Sequence, residues 1–330
     1  MAAFVLTPII LLLAVLAPAM ASAQPATAPL TVRNLAPVSQ LYGIPGMLGG
    51  QRCCEGTQVS FRLAQASNFT ARSANGAQVF FDGETTVAEY QFRGSFGRAA
   101  EWGLTLPLLM HSGGFLDSGI DGFHNAFGLP EGGRDLARRN QLDYLVRVDG
   151  ETFARVDSTQ RGFGDVRAWL GLALRDTAER AVMVRGAVKL PSGRAARLTG
   201  SEAVDGAAWV EWSERQLLHS VGVVVNAGIG ASVLGDGELS PDTQESYSWF
   251  WHFGLARTFG EKLTLVGQVD GHSQLHDRGV SSFGGRALLG TLGARYQVTD
   301  KFSFDFSMVE DLKTRSAADV IFQLQLNARF

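Results

Sequence analysis

Ala317-Ala-Asp-Val-Ile-Phe-Gln-Leu-Gln-Leu-Asn-Ala-Arg-Phe330 alternates apolar and polar side chains. Val320, Phe322, Leu324, Leu326, Ala328 and Phe330 fall on one parity, with Asp319, Gln323, Gln325, Asn327 and Arg329 on the other. A β-strand turns successive side chains to opposite faces, so this segment reads as a strand with one apolar and one polar face. The sequence closes on an aromatic residue, which suits a barrel whose outer surface meets lipid. Phe330 is then an expected recognition signal for barrel-assembly machinery, and the expected address is the bacterial outer membrane.

The other end of the sequence agrees with that address. Residues 1–23 carry no acidic or basic side chain, and an apolar run from Val5 to Leu16 leads to Ala21-Ser-Ala23 and Gln24. This is the pattern of a secretory signal peptide cleaved after Ala23. Pro8 and Pro18 bracket a stretch shorter than the ~20 apolar residues of a helical anchor. Beyond Gln24 every apolar stretch is interrupted by polar residues. Glycine makes up 39 of 330 residues, well above the usual ~7%. That density suits tightly curved, closely packed strands. A net charge of -3 without basic clusters excludes nucleic acid as an expected partner.

Reading backwards from the last strand, the alternation recurs between turn signals. Phe302, Phe304, Phe306 and Met308 oppose Lys301, Ser303, Asp305 and Ser307, while Leu288, Leu292, Ala294 and Tyr296 oppose Thr291, Arg295 and Gln297. Leu263, Leu265, Gly267, Val269 and Gly271 oppose Lys262, Thr264, Gln268, Asp270 and His272. Tyr247, Trp249, Trp251, Phe253 and Leu255 form an aromatic-rich outer face. Further candidates are Leu217–Ala231, Ala207–Ser213, Arg180–Leu190, Gly164–Arg175, Glu101–Met110, Thr85–Phe96 and Gly56–Asn68. The fold class is therefore all-β, a transmembrane antiparallel β-barrel of about twelve strands.

Short links at Gly97–Ala100, Asp176–Glu179, Glu214–Gln216, Thr258–Glu261 and Thr299–Asp300 fall at every second connection. They alternate with long polar segments at Phe69–Glu84, His111–Phe163, Pro191–Gly206, Leu234–Ser246, Leu275–Gly285 and Glu310–Ser316. Short turns are periplasmic and long loops external in such barrels, so both ends of residues 56–330 are expected in the periplasm. Within the longest loop, Gln141–Val148 and Thr152–Val156 read as a hairpin about Asp149-Gly150. Standing above the membrane it leaves twelve strands; joining the wall it makes fourteen. Thr152–Val156 is short for a spanning strand of ~9 to 11 residues, which favours twelve.

Three stretches carry a family resemblance: His111-Ser-Gly-Gly-Phe115-Leu-Asp117, Phe123-His-Asn-Ala-Phe127-Gly-Leu-Pro130-Glu-Gly-Gly-Arg134, and Pro29-Leu-Thr-Val-Arg33-Asn34-Leu-Ala-Pro37. They resemble a bacterial family known as domain of unknown function 3187, over nearly the whole mature chain. Gly162-Phe-Gly-Asp165 and Lys189-Leu-Pro-Ser-Gly193 are also similar to barrels grouped as phenol-degradation-pathway transporters. The resemblance implies an outer-membrane barrel and brings no catalytic residues with it.

The inward parity collects Arg62, Glu89, Arg93, Asp165, Arg167, Arg185, Lys189, Glu211, Asp270, His272, Arg295, Asp305 and Arg329. Charges of both signs suit ion pairs that hold a narrow lumen shut, or a polar path for a small solute. Two segments are candidates to fill that lumen. Residues 24–55 carry Pro25, Pro29, Pro37 and Pro45 with Leu41, Tyr42 and Ile44, and read as a periplasmic leader or a lumen plug. In Leu116–Leu129, Ile120, Phe123 and Phe127 recur at helical spacing beside Asp117, Asp121 and His124, which suits a cap or gate at the mouth.

Other chemistry finds less support in the sequence. His272 and Ser273 are adjacent and face opposite sides, so they cannot act as base and nucleophile. Asp270 and His272 share a face and read as a hydrogen-bonded lumen pair, without a same-face serine in the strand. Asp117, Asp121 and Gly122 echo a calcium loop, but Gly119 and Gly128 occupy ligand positions. No cofactor or metal is implied. Cys53 and Cys54 are the only cysteines; a turn pair, a vicinal disulfide, an intermolecular pair and a free dithiol all fit. A channel or transporter for small solutes is the leading functional expectation. A lipid-modifying enzyme and an adhesive barrel acting through external loops are the alternatives.

Overall fold

The computed structural model describes residues 26–54, 56–97, 99–116, 140–277, 280–313 and 316–330. The signal-peptide reading, the helical spacing between Leu116 and Leu129 and the calcium-loop echo thus fall outside the described residues, apart from Leu116 itself. Among the described residues fifteen strands follow one another: β1 (Thr57–Ala74), β2 (Ala77–Phe96), β3 (Ala100–Ser112), β4 (Asp143–Val148), β5 (Glu151–Val156), β6 (Gln160–Phe163), β7 (Val166–Asp176), β8 (Arg180–Leu190), β9 (Asp205–Leu218), β10 (Val223–Val233), β11 (Tyr247–Phe259), β12 (Leu263–His272), β13 (Ala287–Thr299), β14 (Phe302–Asp311) and β15 (Val320–Arg329).

Twelve of them close an antiparallel ring, β1-β2-β3-β7-β8-β9-β10-β11-β12-β13-β14-β15, in which β15 returns to pair with β1. That seam runs from Gln58↔Arg329 to Ser67↔Val320. Closure leaves no sheet edge to be satisfied in lipid, where an unpaired backbone group costs several kcal/mol. The β4–β5 hairpin turns at Asp149-Gly150, with φ of 50° and 86°. It pairs with the outer end of β2, from Ala77↔Val148 to Asp82↔Asp143, and stands above the ring, so the wall keeps twelve strands. β6 continues the line of β7 past a break at Gly164-Asp165 and pairs with the outer end of β3.

The outward parity holds large apolar side chains in the open. Leu170, Leu172, Val210, Ile229, Phe253, Leu255, Leu292, Phe306 and Leu324 are all exposed. Tyr247 and Trp249 stand at one end of this band, and Phe96, Phe259, Tyr296 and Phe304 near the short turns. An apolar belt flanked by aromatic residues is the surface that lipid requires, and it places the barrel in the bacterial outer membrane.

Three expectations are corrected. Phe69–Glu84 is not an open loop: β1 and β2 continue through it to a two-residue turn at Asn75-Gly76. Both residues adopt positive φ, 50° and 77°, as that hairpin turn demands, and the Asn-Gly pair is the signal for it. The link at Glu214–Gln216 is also misplaced, because β9 runs on to Leu218 and the chain turns at His219–Gly222. Pairing jumps from Val223↔Leu218 to Val225↔Glu214, so the extra residues form a bulge. Thirdly, the inner face is not wholly polar. Val266, Leu289, Val309 and Ile321 lie on the polar parity and are buried with Leu30, Val32 and Leu35.

Candidate functional site

Residues 26–54, which precede β1, run through the inside of the ring. Arg295 donates to the carbonyls of Ala26 (3.0 Å) and Ala28 (3.1 Å), and Asn226 to that of Thr27 (2.9 Å). Gln268 grips Leu30 through both backbone groups, accepting at 2.9 Å and donating at 3.0 Å. The segment then rises to the external mouth, where Val38, Leu41 and Tyr42 join an apolar cluster with Val146, Val156, Leu198, Leu239 and Phe283. Tyr42 Oη lies 2.5 Å from His276 Nε2, and burial pushes the His276 imidazole down to about 3. The ring is therefore neutral near pH 7, and its other nitrogen lies 3.0 Å from Thr243 Oγ1.

The chain next descends along the opposite wall. Gly43 N–H donates to Asp205 (2.7 Å), Leu48 and Gly49 N–H to Glu211 (2.6 and 2.5 Å), and Gly50 N–H to Ser213 (3.0 Å). Gly50 lies so close to the wall that a Cβ would sit 2.5 Å from the Ala181 carbonyl oxygen, so only glycine fits there. Cys53 N–H donates to Glu101 (3.0 Å) just before the chain joins β1. Cys53 and Cys54 are both buried free thiols.

Twelve of the thirteen inward residues singled out from sequence are buried, and Arg167 is half-buried. Their ion pairs run sideways along the wall and do not bridge the lumen. Arg62 and Glu89 are register partners on β1 and β2, joined at 2.6 Å. Arg167 reaches the same Glu89 across β3 at 2.5 Å. Arg295 and Asp305 are register partners joined at 2.8 Å. Lys189 bonds Asp165 at 2.7 Å and lies 3.4 Å from Asp205. Arg185 bonds both Glu101, at 2.7 Å, and Glu211. The Glu101 contact spans β7 at Gly171, the register partner of both residues, where the absent side chain lets the two meet.

Arg329 Nε donates to Gln58 at 3.2 Å. Phe330 exchanges two main-chain bonds with Thr57, at 2.9 and 3.4 Å, at the foot of the seam. Asp270 accepts from Gln268 at 2.9 Å and lies 3.8 Å from His252 Nδ1; the direct bond to His272 expected from the sequence is replaced by these contacts. Both ring nitrogens of His272 are occupied, one 3.0 Å from Asn34 Nδ2 and the other 2.7 Å from the Ser273 carbonyl oxygen. That arrangement leaves the imidazole no serine hydroxyl to activate.

Two inward tryptophans escaped the reading by charge. Trp169 lies on the face of Arg167 and Gly171, and Trp209 on that of Glu211, to which its indole N–H donates at 2.8 Å. An aromatic residue on the polar parity was the available signal. Together with Arg33, Arg93 and Lys189 they border a cavity of about 60 Å³ left between the inner segment and β2, β3, β7, β8 and β9.

Among solved structures, the COG4313 outer membrane channel from Pseudomonas putida F1 is similar at 12% identity and a TM-score of 0.55, covering 88% of this chain and 100% of that one. The KdgM porin is similar at 6% identity, TM-score 0.44, with 83% and 99% covered. The Pseudomonas putida toluene transporter TodX is similar at 10% identity, TM-score 0.40, with 83% and 90% covered. The first of these shares the barrel fold. No curated protein matches the sequence. One family model spans residues 6–330, and the chain accordingly belongs to the family described as protein of unknown function, DUF3187.

Proposed function

We propose that the protein is a narrow outer-membrane channel for small solutes, with residues 56–330 as its wall, residues 24–55 as its plug and residues 1–23 as a cleaved signal peptide. The observation that carries this reading is the cavity beside the inner segment, lined by charged and aromatic side chains within a closed ring. A lumen serving only to hold the barrel together gains nothing from an unfilled space, since close packing is the stable state of a protein interior. The apolar cluster around Tyr42 and Phe283 covers the external mouth and keeps the path narrow.

Reconstituted in planar bilayers, the purified protein is expected to give small, discrete current steps. Membranes that stay silent at every applied voltage overturn the channel reading.

Phe330 is proposed as the feature read by the assembly machinery, because it combines an aromatic side chain with the last bonds of the seam. Phe330→Ala is expected to lower the amount of heat-modifiable, folded barrel in outer-membrane fractions several-fold. Channels that do insert should keep wild-type current steps, and normal levels of folded barrel would remove this role.

A further inference from the structure

The cavity lining holds four cations, Arg33, Arg93, Arg167 and Lys189, against two carboxylates, Glu89 and Asp205. Three of the cations are engaged. Arg167 is bonded to Glu89, and Lys189 to Asp165 and Ser201. Arg33 holds the bend of the inner segment by donating to the carbonyls of Gln40 and Tyr42, both at 3.1 Å. Arg93 differs from them. It is 6% exposed, and its Nε has no hydrogen-bond partner among the described residues. Glu101, a carboxylate near it, is taken up by Arg185 and the Cys53 N–H.

The wall around Arg93 is built to present it. Arg93, Gly103 and Trp169 are successive register partners on β2, β3 and β7. A Cβ on Gly103 would sit 2.2 Å from the Trp169 indole, so glycine lets that ring lie flat across β3. The Arg93 and Arg185 guanidinium groups each sit 5.6 Å from the ring centroid, and the rest of the indole borders the cavity. A buried guanidinium is costly without an anion, and its fork matches a carboxylate. The indole beside it offers an apolar surface to a short hydrocarbon tail.

We propose that Arg93 and Trp169 form a solute site for small monocarboxylates, the carboxylate on Arg93 and the tail against Trp169. The inference deepens the channel reading and rests on it for the solute's passage, but the binding site itself is testable without any current. Propionate and its neutral isostere propionamide are the probes. In saturation-transfer NMR on the detergent-solubilised full chain, propionate is expected to bind at least about tenfold more tightly than propionamide, the scale of one charge-assisted contact. Equal binding of the two, or none of either, overturns the site without a variant being needed.

Arg93→Gln is expected to abolish the preference, and Arg93→Lys, which keeps charge but not the fork, to retain part of it. Heat-modifiable gel migration shows that each variant is folded. A folded Arg93→Gln protein that still prefers propionate overturns the assignment. In sodium propionate gradients the reversal potential is expected to report anion preference in wild type and to shift toward cation preference in Arg93→Gln. Propionate binding without any current leaves the site standing and removes the channel; current with no carboxylate preference in either assay removes the site alone.

Discussion

Deleting residues 26–50 is expected to raise single-channel conductance roughly three- to tenfold, because the lumen of a twelve-stranded ring is wide enough to conduct once its contents are gone. The inner segment passes the lumen twice, rising past Arg295, Gln268 and Arg62 and descending past Asp205, Glu211 and Ser213. The wall groups that grip it are polar, so water replaces their lost partners at little cost. Apolar wall side chains are the exception, among them Val266, Leu289, Val309 and Ile321, clustered with Leu30 and Val32, and Phe250, clustered with Met47, which would then face water. Each buried Leu or Val contributes about 1.5 to 3 kcal/mol, so the deleted barrel should also unfold at a lower temperature in gel-shift assays. Keeping Gln51 to Cys54 preserves the Cys53 bond to Glu101 at the entrance to β1. A conductance equal to wild type would mean that this segment does not obstruct the path.

The barrel was legible in the sequence because lipid imposes a period of two on every spanning strand, and that pattern needs no knowledge of the strand's neighbours. Phe302 to Met308 and Tyr247 to Leu255 show it plainly, with Phe304, Phe306, Tyr247, Trp249, Phe253 and Leu255 exposed and Phe250 turned inward. What the period does not convey is the object opposite the inner face. Ile321 and Val266 break the polar parity because Leu30, Val32 and Leu35 lie against them, hundreds of residues away in sequence. The inner segment has no periodicity of its own. Its place is set by single hydrogen bonds from backbone groups to wall side chains, which leave no local pattern. The same limit hid the role of Gly103 and Gly171. Each is defined by the neighbours that register brings to either side, and one strand read alone shows only a missing side chain. The Asn75-Gly76 turn is a different case, since its residue pair was a sufficient signal; the polar character of Phe69–Glu84 concealed that the strands extend beyond the membrane.

Arg185→Met is expected to lower the unfolding free energy by about 3 to 5 kcal/mol, the loss typical of breaking a buried ion pair from one side. Arg185 and both of its acids, Glu101 and Glu211, have side chains without any exposure. Removing the guanidinium leaves two carboxylates facing one another in an enclosed space, where neither their charge nor their hydrogen bonding is satisfied. The loss should also reach the inner segment. Arg185 donates to the carbonyls of Gly49 (2.7 Å) and Gln51 (3.3 Å), and Glu211 accepts from Leu48 and Gly49 on the same stretch. The variant is therefore expected to show flickering current steps of larger amplitude, as the descending limb detaches from β8 and β9. The triple change Glu101→Gln, Arg185→Met and Glu211→Gln separates the two contributions. It removes all three charges together while the new amide oxygens can still accept from Cys53, Leu48 and Gly49 N–H. Most of the stability should return, because a matched set of neutral groups carries no desolvation penalty for charge. The flicker should persist in part, since the bonds from the guanidinium to the Gly49 and Gln51 carbonyls are still missing. A single Arg185→Met protein as stable as wild type, measured by heat-modifiable migration, would show that water reaches this triad and that the inner segment is not held by it.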